Sequence, residues 1–256
     1  IEKGFDVEIK DKPKPPLNIW VVDVAGRKVE KLVKVPGFTV GYMTLSRDGK
    51  KLAFQARSAD RYSDFRDDEL FLVNLETGKV TRLTDNHVAE GKPLFSPDSR
   101  WLVYTAPENY EFMRNDRVYI LPATGGEPRV LGKDFDTNVS CEFFSDDSRE
   151  IYFATSVGVN TNLYGIRIKG GRIEQVTNLD GVVRVSRDEE SGLCLVRYTD
   201  PYHPTDLYLA RERDLSERER WVRLTDLNPQ VNDIMLGKYE TVYWKSTDGR
   251  EIEGIL

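Results

Sequence analysis

Two histidines, two cysteines and three stretches rich in carboxylates and arginines are where this sequence offers chemistry. His87 and His203 stand in separate segments with no His or Cys at ligand spacing, so they read as loop hydrogen-bonding residues rather than metal ligands. Cys141 and Cys194 sit in the apolar runs TNVSCEFF and GLCLVRY and read as buried thiols rather than disulfide or reactive partners. The polar stretches ARSADRYSDFRDDE (56–69), APENYEFMRND (106–116) and RYTDPYHPT (197–205) read as long loops. There a carboxylate can grip an ammonium through charge-assisted hydrogen bonds, and a guanidinium fork can hold a carbonyl or carboxylate. Glu111 with Tyr110 and Arg114 is the first such group; Arg61, Asp64 and Arg66 form the second. A solvated loop, or a salt bridge to a neighbouring domain, is the favoured reading of the same residues. ETGK (76–79) and ATGGE (123–127) resemble phosphate loops only superficially, because no helix follows to aim backbone amides at a phosphate. No metal and no cofactor is expected.

The elements that would position these residues are legible in a repeat. TLSRDGKKLAF (44–54), LFSPDSRWLVY (94–104), FFSDDSREIYF (143–153) and, more loosely, RVSRDEESGLCLV (184–196) recur about every 40–50 residues. Each is followed by a second unit: LFLVNLETGKVTRLT (70–84), VYILPATGGEPRVL (118–131), LYGIRIKGGRIEQVT (163–177) and LYLARERDLSERERWVRLT (207–225). A further copy, IWVVDVAGRKVEKLV (19–33), precedes the first. Apolar, β-branched and aromatic runs of four to six residues, separated by Asp-Gly, Asp-Ser and Gly-Gly pairs, predict strands joined by tight turns. Nothing sustains a helical period; DLSERERW (214–221) reads as a long hairpin tip.

Each unit is thus a four-stranded antiparallel meander, the size of a propeller blade, and such units bury their apolar faces only against one another. Trp20, Phe71, Tyr119, Tyr164 and Tyr208 in the third strands, and Phe54, Tyr104 and Phe153 in the second, are expected to pack between blades. The fold class is all-β, a β-propeller with about five blades present. A partial blade spans 5–34, and full blades span 38–84, 90–132, 138–177 and 182–226; the propeller covers 1–229 and a tail 230–256. An open ring exposes strand edges. Either blades are missing at the amino end, or the tail near QVNDIML (230–236) lends the first blade an inner strand.

Composition excludes other classes. With 37 basic against 43 acidic residues the net charge is −6 and the basic residues are scattered, which argues against a nucleic-acid groove or an anionic membrane as partner. The apolar runs are too short to span a bilayer as helices. No charged-then-apolar leader is visible. The chain opens on IEKGFDVEIK without Met, as a mature form or an excised piece would. The cysteines indicate no compartment; cytoplasm and periplasm both suit a mildly acidic soluble chain.

The SPDS-type turns, the WVVDV-like strands and the RLT endings resemble the propeller of prolyl-oligopeptidase-family serine peptidases, with the acylaminoacyl- and dipeptidyl-peptidase branch the best fit. PPLNIWVVDVAG (15–26), NDRVYILPATGGEPRVL (115–131), KDFDTN (133–138), HPTDLYL (203–209) and RLTDLNPQ (223–230) all look like segments of that branch. YETVYWKSTDGREIEGIL (239–256) is similar to the opening strands of the family's α/β-hydrolase domain.

The resemblance implies a propeller that caps a Ser-His-Asp hydrolase domain, excludes folded proteins and helps hold peptides. The family's Gly-x-Ser-x-Gly elbow occurs nowhere in this sequence, so no serine is carried over as nucleophile and neither histidine as base. The polypeptide alone is expected to be catalytically inert. Its implied partners are the hydrolase domain of a parent chain and a peptide substrate. The paired-glutamate grip of some relatives has no clear match, so the loop residues above stand as candidates on their chemistry alone. A free-standing scaffold propeller, like that of the periplasmic Tol system, is the alternative. Self-association through exposed blade edges is a further expectation. A propeller enzyme with its own central site would need carboxylates or metal ligands on inner strands, and TVGYMTLS and NVSCEFFS offer little of that kind.

Overall fold

The computed structural model describes residues 17–33, 39–57 and 67–256. Among them there is no α-helix. The described residues run through twenty strands, β1 (Trp20–Asp23) to β20 (Glu251–Ile255), almost all paired antiparallel with their sequence neighbours. β1 and β2 (Lys28–Lys31) form a hairpin. A four-stranded meander follows: β3 (Thr39–Leu45), β4 (Lys51–Arg57), β5 (Glu69–Asn74) and β6 (Val80–Arg82). The second comprises β7 (Leu94–Phe95), β8 (Trp101–Pro107), β9 (Asp116–Pro122) and β10 (Arg129–Leu131).

In the third and fourth, β11 (Ser140–Phe144), β12 (Glu150–Val157), β13 (Asn160–Arg167) and β14 (Glu174–Gln175) precede β15 (Val182–Arg187), β16 (Leu193–Asp200), β17 (His203–Arg211) and β18 (Val222–Arg223). These two meanders merge into one eight-stranded sheet through a single parallel bridge, Thr161 to Val182. At that bridge Gly181, φ +95°, lies so close to the Thr199 carbonyl that a Cβ would sit 2.1 Å from its oxygen. Only glycine fits there.

The cores lie between successive sheets, as blades require. Ala53, Leu70 and Leu72 of the first sheet meet Leu102, Tyr104, Tyr119 and Leu121 of the second. Val103, Val118 and Ile120 face the other way, onto Ile151, Phe153, Tyr164 and Ile166 of the third. Leu163 and Phe143 then meet Val183, Val185, Cys194, Val196 and Tyr208 of the fourth. This two-sided burial follows from the strand period of two and explains why the second and third strands are apolar at nearly every position. The cross-strand aromatics stack in register: Phe54 on Phe71 at 5.3 Å, Tyr104 on Tyr119 at 5.4 Å and Phe153 on Tyr164 at 6.0 Å between ring centroids.

The recurrent turn has a physical job. In each of the first three meanders the serine hydroxyl donates to the aspartate two residues on: Ser46 to Asp48 at 2.6 Å, Ser96 to Asp98 at 2.5 Å and Ser145 to Asp147 at 2.8 Å. The residue after the aspartate is left-handed: Gly49, Ser99 and Ser148, φ +70°, +58° and +60°. Where serine takes that place, its hydroxyl accepts the aspartate amide of the preceding blade, Asp48 N to Ser99 at 3.1 Å and Asp98 N to Ser148 at 3.0 Å. The turns therefore bolt blade to blade.

The threonine that ends each unit, after Arg-Leu in two of them and Gln-Val in a third, is a second latch. Thr84, Thr177 and Thr225 accept the amides of Leu70, Leu163 and Leu207, so the outer strand is tied to the third strand beyond its short ladder.

Three expectations need correction. Trp20 is 58% exposed rather than packed, because the β1–β2 hairpin buries the flanking Ile19 and Val33 against Phe54 and Phe71 instead. RYTDPYHPT is no loop: β16 and β17 continue through it to a reversal at Pro201–Tyr202, since Tyr198 and Asp206 both turn into the core. Among the described residues, the tail lends the first blade no strand. Residues Pro229–Asp233 form a 3-10 turn, and β19 (Thr241–Lys245) pairs with β20.

Candidate functional site

Arg61, Asp64 and Arg66 lie outside the described residues. Tyr110, Glu111 and Arg114 lie together in the loop from β8 to β9. That loop is held rigidly at its base. The Tyr110 ring stacks on Tyr119 at 4.8 Å, its hydroxyl lies 3.0 Å from that of Tyr104, and the Tyr119 hydroxyl donates to the Pro107 carbonyl at 3.1 Å. Burial pushes all three phenols up, Tyr119 to about 12, so they act as hydrogen-bonding groups and not as acids or bases near neutrality. Asn109, Tyr110 and Met113 all have positive φ, +54°, +57° and +73°. Three non-glycine residues in that region within five positions store backbone strain, which persists only where the surroundings dictate it. The strained loop throws Phe112 and Met113 outward, 52% and 85% exposed.

Glu111 and Arg114 satisfy each other. Arg114 Nε donates to Glu111 Oε2 at 3.0 Å, and both side chains are more than half exposed. Such a pair contributes little to stability and leaves neither charge free. Buried Arg117 anchors the far side of the loop, donating to Glu108 at 3.3 Å and to the Thr137 carbonyl at 3.0 Å. Next to it stands Asp116. Its amide donates to Asn138 Oδ1 at 2.8 Å, among the described residues its carboxylate has no hydrogen bond or ion pair, and its half-burial raises its affinity for a proton, with Arg117 opposing. The loop and the chain entering β7 enclose a cleft of about 390 Å³, walled by Ala89, Pro107, Phe112 and Met113, with Asp116 and Arg114 among its polar groups. Gly91 lets that chain approach: a Cβ there would stand 2.1 Å from Thr105 Oγ1.

Behind this wall is a polar box missed at the sequence level. Glu90 is 2% exposed; it accepts Thr84 Oγ1 at 2.5 Å and Asn86 Nδ2 at 2.8 Å. Glu69, also 2% exposed, accepts the amides of Asn86 and His87 at 3.1 and 3.0 Å through Oε1, while its Oε2 has no partner. Burial, and to a lesser extent the Glu69 charge, push the Glu90 carboxyl up to about 8. Both acids lie in stretches that read as ordinary loop and strand ends, so composition held no signal for their burial.

A larger cavity, about 1040 Å³, opens at the serine-turn end of the blades. Several of its charges are already paired, Arg100 with Asp98, Arg149 with Asp147 and Arg167 with Glu150. His203 Nδ1 lies 2.8 Å from Asp200, yet among the described residues no hydroxyl or thiol is bonded to that ring, so no activated nucleophile is assembled.

No family model matches the chain. It is 26% identical to dipeptidyl-peptidase 5 of Porphyromonas gingivalis over 136 residues, 52% of this chain and 20% of that protein. It is 27% identical to dipeptidyl-peptidase 5 of Porphyromonas endodontalis over 170 residues, 65% of this chain and 24% of that protein. The matches thus span a fifth to a quarter of those relatives' length. Among solved structures, the acylaminoacyl peptidase of Pyrococcus horikoshii superposes over 99% of this chain and 40% of its own, with a TM-score of 0.67 and 18% identity. A putative TolB from Agrobacterium tumefaciens covers 80% of this chain and 68% of its own, TM-score 0.57 and 17% identity.

Proposed function

The chain matches the propeller portion of prolyl-oligopeptidase-family peptidases, and we propose that it is a non-catalytic domain that gates access to a hydrolase active site and helps orient peptides there. One observation carries this reading: the sequence match to two dipeptidyl-peptidases coincides with a superposition on an acylaminoacyl peptidase that extends over nearly the whole chain, tail included. In this reading residues 1–229 are propeller, and 230–256 are the linker and first strands of an α/β-hydrolase domain. Hydrolysis of the peptide bond belongs to a Ser-His-Asp triad on that domain. The propeller's contribution is steric and electrostatic. Rigid blades bolted through their turns present loops such as 108–115 to whatever enters, and a narrow entry passes peptides while excluding folded chains.

The likeness to TolB favours a second reading, a scaffold that binds other proteins. Expressing the complete reading frame separates the two. A gating domain requires peptidase activity sensitive to serine-directed inhibitors, falling sharply with substrate length, and a length limit that relaxes when the propeller is removed. Activity with no length limit, or a limit unchanged by that deletion, would refute gating. Absence of any hydrolase in the frame would leave the scaffold.

A further inference from the structure

The cleft between loop 108–115 and the chain at Ala89–Gly91 has a floor and walls of different chemistry. Ala89, Pro107, Phe112 and Met113 make the walls apolar. Among the described residues, Asp116 is the carboxylate at the cleft that no hydrogen bond or ion pair occupies, although Arg117 lies near enough to oppose its protonation. Glu90 is already held by Thr84 and Asn86, and Glu111, on the loop itself, is paired with Arg114. Arg117, the nearest cation along β9, directs its guanidinium to Glu108 and to the carbonyls of Asp116 and Thr137, not to the Asp116 carboxylate.

A half-buried carboxylate without a partner costs free energy that a cation recovers, and a hydrogen bond to a charged group is roughly twice as strong as a neutral one. An apolar passage leading to such a carboxylate fits a side chain with an aliphatic stem and a charged head. Lysine and arginine have that form. The rim is preorganised: the Tyr104–Tyr110–Tyr119 stack and three left-handed residues fix the loop before anything binds, which lowers the ordering cost.

We propose that this cleft binds a basic side chain of a peptide, its charged head on Asp116 and its stem between Phe112, Met113 and Pro107. The proposal rests on the peptide-handling reading above and adds a preference to it: the propeller selects peptides carrying arginine or lysine. Asp116, not Glu111, is the recognising residue.

Titrating the isotopically labelled 256-residue chain with Ala-Arg-Ala and with Ala-citrulline-Ala, followed by NMR, tests this directly, because citrulline keeps the shape of arginine and removes its charge. The arginine peptide should shift the amides of 107–116 and 89–91, and the citrulline peptide should bind at least about tenfold more weakly. Asp116→Asn should lose the same factor. Glu111→Gln should change affinity by less than about threefold. Asp116→Asn removes a carboxylate that burial disfavours, so its thermal midpoint should match or exceed that of the parent chain, which checks that lost binding is not lost folding. Equal binding of the two peptides, full affinity in Asp116→Asn, or no shifts in the cleft at about 10 mM peptide would overturn the proposal. Binding here with no length limit in the complete enzyme would sink gating alone; a length limit without binding here would sink this site alone.

Discussion

Glu90 gives the sharpest physical test of the structure. Its carboxyl lies in a box with Thr84, Asn86 and a second buried acid, Glu69, and is pushed up from 4.5 to about 8. A group whose folded value is raised stabilises the fold below its unfolded value and loses that contribution as pH climbs through the folded one. Between about pH 4.5 and 8 the folded chain therefore holds a proton that the unfolded chain has released. The interval corresponds to about 5 kcal/mol, an upper figure because a buried site relaxes when it ionises.

Glu90→Gln removes this dependence. A glutamine oxygen can still accept from Thr84. Its amide can donate to Asn86 Oδ1, which is buried without a partner, once the Asn86 amide turns over. The variant should match the parent within about 1 kcal/mol at pH 5 and exceed it by about 3–5 kcal/mol at pH 9. Urea unfolding at pH 5, 7 and 9, followed by tryptophan fluorescence, measures the difference. Other acids raised by burial, such as Glu142 and Glu212, occur in both proteins and largely cancel in the comparison. A stability difference that does not grow with pH would refute the claim that Glu90 is buried and neutral.

Thr177→Val keeps shape and deletes the acceptor for the Leu163 amide, so it should cost about 1–3 kcal/mol in urea unfolding, whereas the same change at exposed Thr81 should cost far less. Ser148→Ala removes the bolt to Asp98 and keeps a side chain in the left-handed region, whereas Ser148→Gly removes the bolt and relieves the conformation. Alanine should therefore be less stable than glycine by about 1 kcal/mol in the same measurement. Burial pushes the Cys194 thiol up to about 11, so a thiol-directed reagent at pH 8 should leave it unmodified in the folded chain and label it once urea unfolds the protein.

Much of the fold was legible because a blade is a local object. Ser-x-Asp turns, alternating apolar runs and Arg-Leu-Thr endings act within some twenty residues of one another, and Phe54, Tyr104, Phe153 and Tyr164 pack between sheets as their positions indicate. The candidate site was legible only in part. The loop bearing Tyr110, Glu111 and Arg114 stood out by composition, yet the pairing of Glu111 with Arg114 cancels the charges that drew attention to it. Asp116 looked like any residue at the head of a strand, and Trp20 like any third-strand aromatic.

What the sequence alone determined is the repeating β-meander, since strand periodicity and turn chemistry depend on near neighbours. Packing in three dimensions sets which charges are satisfied, which are buried and which are left over: Glu69 and Glu90 closing on one box, Ser99 and Ser148 reaching the previous blade, and Asp116 unpaired among the described residues beside an apolar wall. The bonds of Glu69 to the Asn86 and His87 amides, and of Ser99 and Ser148 to the preceding turns, join residues 17 to 51 positions apart, whose distance in space is set by how strands and blades stack and not by any local pattern.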